Sequence, residues 1–117
     1  MAPDVQAVVN KIAARYSSSD AALNQCSIAC RQVIAELEAI GITDVQHIEV
    51  FKPCGSTRPH PQLSTAHSVL RIGTEAVDVT WMQIDPQAEH PYKLYPTMDA
   101  LRGDWTVVRD WATSADL

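Results

Sequence analysis

The sequence has no long apolar run, no cluster of basic residues and no disulfide framework. No apolar stretch approaches the ~20 residues that a membrane-spanning helix needs, and the first residues lack the basic-then-apolar layout of a secretory signal peptide. The nine lysines and arginines are scattered through a chain of net charge −5. Neither nucleic acid nor a membrane is therefore expected as a partner.

The three cysteines form no paired pattern. This odd number predicts free thiols in a protein that works in a reducing cytoplasm. A toxin or effector domain that is secreted, or injected into a target cell, also works there. The cysteine count therefore leaves the cell in which the chain is made undetermined.

The remaining composition is typical of one globular domain. The chain has 117 residues, of which 46% are hydrophobic and 20% are charged. This length is enough for one apolar core without disulfides or metals, so we predict a single domain over residues 1–117.

Three helices are predicted from apolar spacing and from cap residues. The first covers Pro3–Tyr16, because its apolar residues recur at i, i+3, i+4 and i+7 and its proline suits a first turn. The second and strongest runs from about Asn24 to Ile40 and is ended by Gly41. A short third helix is predicted over Thr97–Arg102, with Thr97 as its N-cap.

The rest of the chain reads as mostly antiparallel β-structure. Strands are predicted over Asp44–Phe51, Thr65–Ile72, Glu75–Trp81 and Trp105–Trp111. Gly73-Thr74 predicts a two-residue type II′ hairpin turn, Lys52–Gln62 a loop, and Gln83–Pro96 an irregular crossing. The element order predicts an α+β fold whose helices cover one face of a mostly antiparallel sheet.

Two cysteines lie one turn apart in the second predicted helix. Cys26 falls in the first turn, where the helix dipole favours an anion and lowers the pKa of a thiol. Cys30 gains less from the dipole and lies among apolar residues, so we predict an inert core cysteine there.

A histidine and an aspartate are placed together by the predicted hairpin. If Gly73-Thr74 is the turn, His67 and Asp78 share one face as diagonal cross-strand neighbours within hydrogen-bond reach. Cysteine chemistry needs a thiolate, a base and a group that orients the base. The pattern therefore predicts Cys26 as nucleophile, His67 as general base and Asp78 as the orienting carboxylate.

This layout resembles the papain-like superfamily of cysteine enzymes. The resemblance is carried by "NQC" ending at Cys26, "HSVLRIG" opening on His67, and "VDVTWMQ" containing Asp78. It looks most like the transglutaminase-like branch and the papain-fold toxins that deamidate protein glutamines. It implies a papain-like minimal core, the triad just named, and an oxyanion donor among Asn24, Gln25 and the Cys26 backbone N–H.

The resemblance also implies a function. The expected enzyme is a toxin- or effector-type protein glutamine deamidase, with a protein as substrate, no cofactor, and a cognate inhibitor or immunity protein as partner. A cysteine protease and a transglutaminase use the same residues, so both stay open as alternatives.

Two other classes of protein compete with an enzyme. A zinc site would use Cys26, Cys30, Cys54 and either His60 or His67. A C-x₃-C pair within a helix is not a usual zinc spacing, so no metal is predicted. The second class is a non-catalytic interaction domain, in which Trp81, Trp105 and Trp111 serve as core residues or binding anchors.

Overall fold

The structure of this chain is a computed structural model that describes residues 1–53, 64–105 and 107–110. The α-helices in these ranges are α1 (Pro3–Ala13), α2 (Ser19–Ala22), α3 (Cys26–Ala39) and α4 (Met98–Asp104). The strands are β1 (Val45–Pro53), β2 (Ser64–Ile72), β3 (Glu75–Asp78), β4 (Lys93–Tyr95) and β5 (Val107–Asp110). Neighbouring strands are antiparallel and follow the order β4-β3-β2-β1-β5 in one sheet. The predicted α+β class is confirmed.

The two long N-terminal helices are present, with ends that differ from those predicted. The last turn of the first helix tightens into a 3₁₀ turn over Ala14–Tyr16. α3 begins at Cys26 rather than at Asn24, because Asn24 has a left-handed φ of 59°. The short helix α2 was not predicted. It is capped by Ser18, whose hydroxyl accepts the Ala21 N–H at 3.1 Å.

Gly41 ends α3 as predicted. Its φ is 84°, and its N–H donates to the Glu38 carbonyl at 3.0 Å. The Ile42 N–H donates to the Leu37 carbonyl at 2.9 Å, which completes a Schellman motif. Ile42 packs against the apolar cluster of α1 and α3, so this cap directs the chain from the helix into β1.

The hairpin between β2 and β3 has the predicted register. Ile72 pairs with Glu75 and Leu70 with Val77, and Gly73 has the positive φ, 61°, that a type II′ turn requires. β3 ends at Asp78 rather than at Trp81. There the Asp78 carboxylate accepts the Thr80 N–H, and the chain turns into a 3₁₀ segment over residues 81–83.

The elements after the hairpin also correct the prediction. The segment 83–96, predicted to be irregular, contains β4, which pairs with β3. Thr97 caps α4 as predicted, but the helix extends to Asp104 rather than to Arg102. Trp105 ends this helix instead of opening a strand. Trp111 and the segment 54–63, most of the predicted loop, lie outside the described residues.

Both faces of the sheet carry a buried apolar cluster. Helices α1 and α3 pack on the face predicted to be the core, which carries Leu70, Ile72, Val77 and Val79. The opposite face is covered by α4 and Trp105, whose cluster includes Ile48, Val50, Val69, Ala76, Tyr95 and Leu101. The expectation that every helix lies on one face is therefore wrong for α4. In the described part of the chain, every helix is too short or too polar to cross a bilayer.

Gly41 and Gly103 form a matched pair for testing backbone conformation. We expect Gly41→Ala to lower the free energy of unfolding by ~1–2 kcal/mol, because its left-handed φ crowds a Cβ against its own backbone. Gly103→Ala, inside α4 and with open space around its Cα, should raise that free energy by up to ~1 kcal/mol. Urea denaturation monitored by circular dichroism measures both. Equal effects of the two substitutions would contradict the assigned end of α3.

Candidate active site

A histidine and an aspartate form a buried hydrogen bond where β3 ends. His67 Nε2 donates to Asp78 Oδ2 at 2.8 Å. Their exposed fractions are 2% and 0%. The other carboxylate oxygen, Oδ1, accepts the Thr80 N–H at 3.1 Å. The predicted contact is present, and both oxygens of Asp78 are held by partners that fix its orientation.

Cys26 brings the thiol to the same histidine. It is the first residue of α3 and is half-buried, and its thiol lies near enough to the His67 ring for each group to shift the pKa of the other. Because Asp78 occupies Nε2, the nitrogen left for the thiol is Nδ1. That atom is buried and has no hydrogen-bond partner within normal geometric limits among the described residues. The structure thus joins Cys26, His67 and Asp78 in the predicted order.

The environment of this pair favours a thiolate and an imidazolium. Burial alone would raise the pKa of the Cys26 thiol, but the hydrogen bond and charge of His67 lower that pKa below its usual value. Burial alone would lower the pKa of His67, but the Asp78 carboxylate, with a smaller effect of Cys26, raises it to about 9. His67 is therefore protonated near neutral pH. The lowered pKa of Cys26 increases the share of its thiol that is present as thiolate, which is the nucleophilic form of cysteine.

Ser68 is a member of the site that the sequence analysis missed. It follows His67 on β2 and is 7% exposed. Its backbone N–H and its hydroxyl both lie near the Cys26 thiol, and each further lowers the pKa of that thiol. In the sequence, its position directly after His67 is what could have indicated it. Its contact with Cys26 arises because α3 packs on β2.

Cys30 lies in an environment opposite to that of Cys26. It is fully buried within the apolar cluster of α1 and α3. Burial, followed by the negative charges of Asp78 and Cys26, raises the pKa of its thiol well above the usual value. The prediction of a core cysteine is confirmed.

Asn24 and Gln25 come directly before Cys26 in the sequence, but neither is among the groups that shift the pKa of its thiol. Asn24 is exposed, and Gln25 is the half-buried N-cap residue of α3. The Gln25 side chain does not cap the helix, so the N–H groups of the first turn remain unused within it. Such N–H groups at a helix start attract anions, so those of the first turn, beginning with Cys26, are the candidates for an oxyanion donor.

The described part of the chain does not form the zinc site that was considered as an alternative. Among these residues, no group of three or more His, Cys, Asp and Glu side chains is placed to hold a metal ion. Cys54 and His60, which that alternative requires, lie outside the described residues.

The tryptophans take different positions in the fold. Trp105 is 2% exposed, and its ring stacks on the His67 ring with 5.4 Å between centroids and 12° between planes. Trp81 is half-buried at the start of the 3₁₀ segment after β3. Trp105 therefore belongs to the surroundings of the histidine, a role that its place in the sequence did not indicate.

Comparisons with protein-family models, with curated proteins and with solved structures found no match to this chain. The papain-like resemblance therefore stays a prediction from the sequence motifs.

Thiol labelling tests the contrast between the two cysteines. We expect iodoacetamide to modify Cys26 much faster than Cys30 at pH 7, because Cys26 is half-buried with a lowered thiol pKa, whereas Cys30 is inaccessible. Peptide mapping by mass spectrometry after timed exposure measures each rate. Ser68→Ala should slow the labelling of Cys26 by raising its pKa. Ser27→Ala is the matched control, because the Ser27 hydroxyl instead accepts from Arg31 at 3.1 Å. This substitution should leave the labelling rate of Cys26 unchanged.

Equal and slow labelling of Cys26 and Cys30 would contradict an activated thiol. Equal effects of the two serine substitutions would contradict the role of Ser68.

Proposed function

We propose that this chain is a thiol-dependent acyl-transfer enzyme, and specifically a protein glutamine deamidase. One observation carries the proposal: the buried His67–Asp78 hydrogen bond, 2.8 Å long, lies beside a half-buried thiol whose pKa is lowered by His67. Each group has a role in acyl transfer, namely nucleophile, proton carrier and orienting carboxylate.

The first half of the reaction forms a thioester. The Cys26 thiolate attacks the carbon of a glutamine carboxamide, and the carbonyl oxygen becomes an oxyanion facing the N–H groups at the start of α3. The His67 imidazolium gives its proton to the departing nitrogen. The C–N bond breaks, ammonia leaves, and the acyl group stays on sulfur.

The second half releases the product. His67, now neutral, takes a proton from water as the water oxygen attacks the thioester carbon. The C–S bond breaks, which yields glutamate and restores the thiolate with the imidazolium. Asp78 stays hydrogen-bonded to Nε2 throughout and keeps Nδ1 directed at the sulfur and at the incoming water.

A protein substrate fits the surroundings of the thiol. Leu23 and Ile28, within three residues of Cys26, are exposed by 57% and 44%. Apolar surface near a reactive thiol favours contact with a macromolecule over contact with a small polar amide. The resemblance to papain-fold toxins adds the toxin or effector class, action in a reducing cytoplasm, and a cognate inhibitor or immunity protein.

Intact-mass spectrometry tests the reaction. Incubation of the protein with candidate partner proteins should add about 1 Da per modified glutamine, since an amide nitrogen is replaced by oxygen. Cys26→Ala should abolish the change, while Cys30→Ala should retain it in protein that still folds. Fragments would indicate a protease, and adducts with an added amine would indicate a transglutaminase. No change in any partner, together with an unreactive Cys26, would contradict the proposal.

The pH dependence of the activity should report the charged pair. Activity should rise as the thiol ionises at its lowered pKa and fall above a pH of about 9, where His67 loses the proton that the leaving group needs. Asp78→Asn should move the upper limit to lower pH, because its carboxylate is what raises the pKa of His67. The upper limit of a rate–pH profile measures this shift, and an unchanged limit would contradict the role of Asp78.

The same raised pKa has a consequence for stability. The protonated His67 contributes to stability fully below its unfolded pKa of about 6.5. This contribution is lost as the pH rises through about 9, the value in the folded chain.

A further inference from the structure

Three polar side chains meet between β4 and the end of α4. Lys93 Nζ donates to Asp104 Oδ2 at 2.5 Å, and the Tyr95 hydroxyl donates to the same oxygen at 2.7 Å. Tyr95 is 3% exposed, whereas the other two side chains are about one-third exposed. Lys93, Tyr95 and Asp104 are called the β4–α4 lock below.

The position of Asp104 has an electrostatic cost that the lock offsets. It is the last residue of α4, where the helix dipole is negative and a carboxylate is unfavourable. The ammonium of Lys93 and the hydroxyl of Tyr95 stabilise that carboxylate through charge-assisted hydrogen bonds. The Asp104 carboxylate is therefore stabilised by Lys93 and Tyr95, whereas the dipole of α4 opposes it.

The lock is connected to His67 through one residue. Asp104 is followed directly by Trp105, and Tyr95 and Trp105 belong to the same buried apolar cluster. Trp105 in turn stacks on the His67 ring, 5.4 Å between centroids. Holding Asp104 and Tyr95 therefore fixes the backbone and the indole of the residue that covers the imidazole.

The lock also borders the aspartate of the triad. Lys93 is the residue that pairs with Asp78 across β3 and β4. Its ammonium lies 4.6 Å from the centre of the Trp81 ring and 5.1 Å from that of Tyr95. Trp81 opens the segment that follows Asp78 and Thr80, so the lock contacts the elements on both sides of the His67–Asp78 hydrogen bond.

We propose that Lys93, Tyr95 and Asp104 are positioning residues that hold Trp105 against His67 and so keep Nε2 directed at Asp78 and Nδ1 at Cys26. The inference rests on the proposed function, since it treats His67 as the base. It goes further by assigning a role to residues that touch neither the thiol nor the substrate. Without the lock, the imidazole gains rotational freedom and water reaches its bond to Asp78.

Substitution of Asp104 tests the lock in the full chain. In Asp104→Ala, the alkylation of Cys26 by iodoacetamide at pH 7 should slow about fivefold or more. The substitution removes both charge-assisted hydrogen bonds of Asp104, those with Lys93 and Tyr95. The His67 ring signals in NMR should broaden, and their titration midpoint should move away from the wild-type value. Asp104→Asn keeps an acceptor for Tyr95 and should retain most of the wild-type rate.

Asp99→Ala is the matched control. Asp99 is also an aspartate of α4, 96% exposed at its side chain and paired with Arg102 at 3.4 Å, so its loss should leave both readouts unchanged. If Asp104→Ala fails to fold by circular dichroism, Tyr95→Phe, which loses a single hydroxyl, replaces it and should slow alkylation about twofold.

The outcomes separate the two proposals. A wild-type Cys26 that reacts no faster than Cys30 contradicts the enzyme. The His67 ring signals then still decide the lock, because they do not depend on activity. A reactive wild-type Cys26, with an unchanged rate and unchanged His67 signals in Asp104→Ala or Tyr95→Phe, contradicts the lock alone.

Discussion

The hydrogen bond between His67 and Asp78 is the contact on which the rest of this structure depends. Both side chains are almost completely buried, and a buried carboxylate without a partner costs several kcal/mol. Asp78 avoids this cost by accepting from His67 with one oxygen and from the Thr80 N–H with the other. The second bond also turns the chain out of β3, so the contact that satisfies the carboxylate determines where the strand ends.

The early end of β3 places the histidine between elements that pack on opposite faces of the sheet. β2 continues beyond the last residue that pairs with β3, and His67 lies in this extension. There it is contacted by Cys26 of α3 and by Trp105 at the end of α4. Elements from both faces of the sheet thus meet at one polar group, and the proposed reaction at the thiol requires both of them to be in place.

The two cysteines of α3 differ in thiol pKa and in exposure because their surroundings differ. They lie one helical turn apart, yet the pKa of Cys26 is lowered by His67 and Ser68 while burial raises that of Cys30. Because Cys30 is buried and its thiol carries its proton, it fills the core. Cys26, at the helix start and half-exposed, can meet a substrate. One sequence motif therefore contains a packing residue and the proposed nucleophile.

Local patterns in the sequence were enough to predict the α1 and α3 helices, the Gly41 cap and the hairpin register, because spacing and turn chemistry depend on neighbouring residues. Through the register, these patterns also predicted the His67–Asp78 contact. They did not predict where β3 ends, since a side chain there competes with the strand for a backbone N–H. They also missed α2, β4 and the stacking of Trp105 on His67. The contact of Ser68 with the thiol and that of Tyr95 with Asp104 are likewise decided by packing between separate segments. The order of residues therefore supplies the side chains that the proposed chemistry needs. Which of them meet depends on the folded chain, because burial and pairing arise between segments far apart in the sequence.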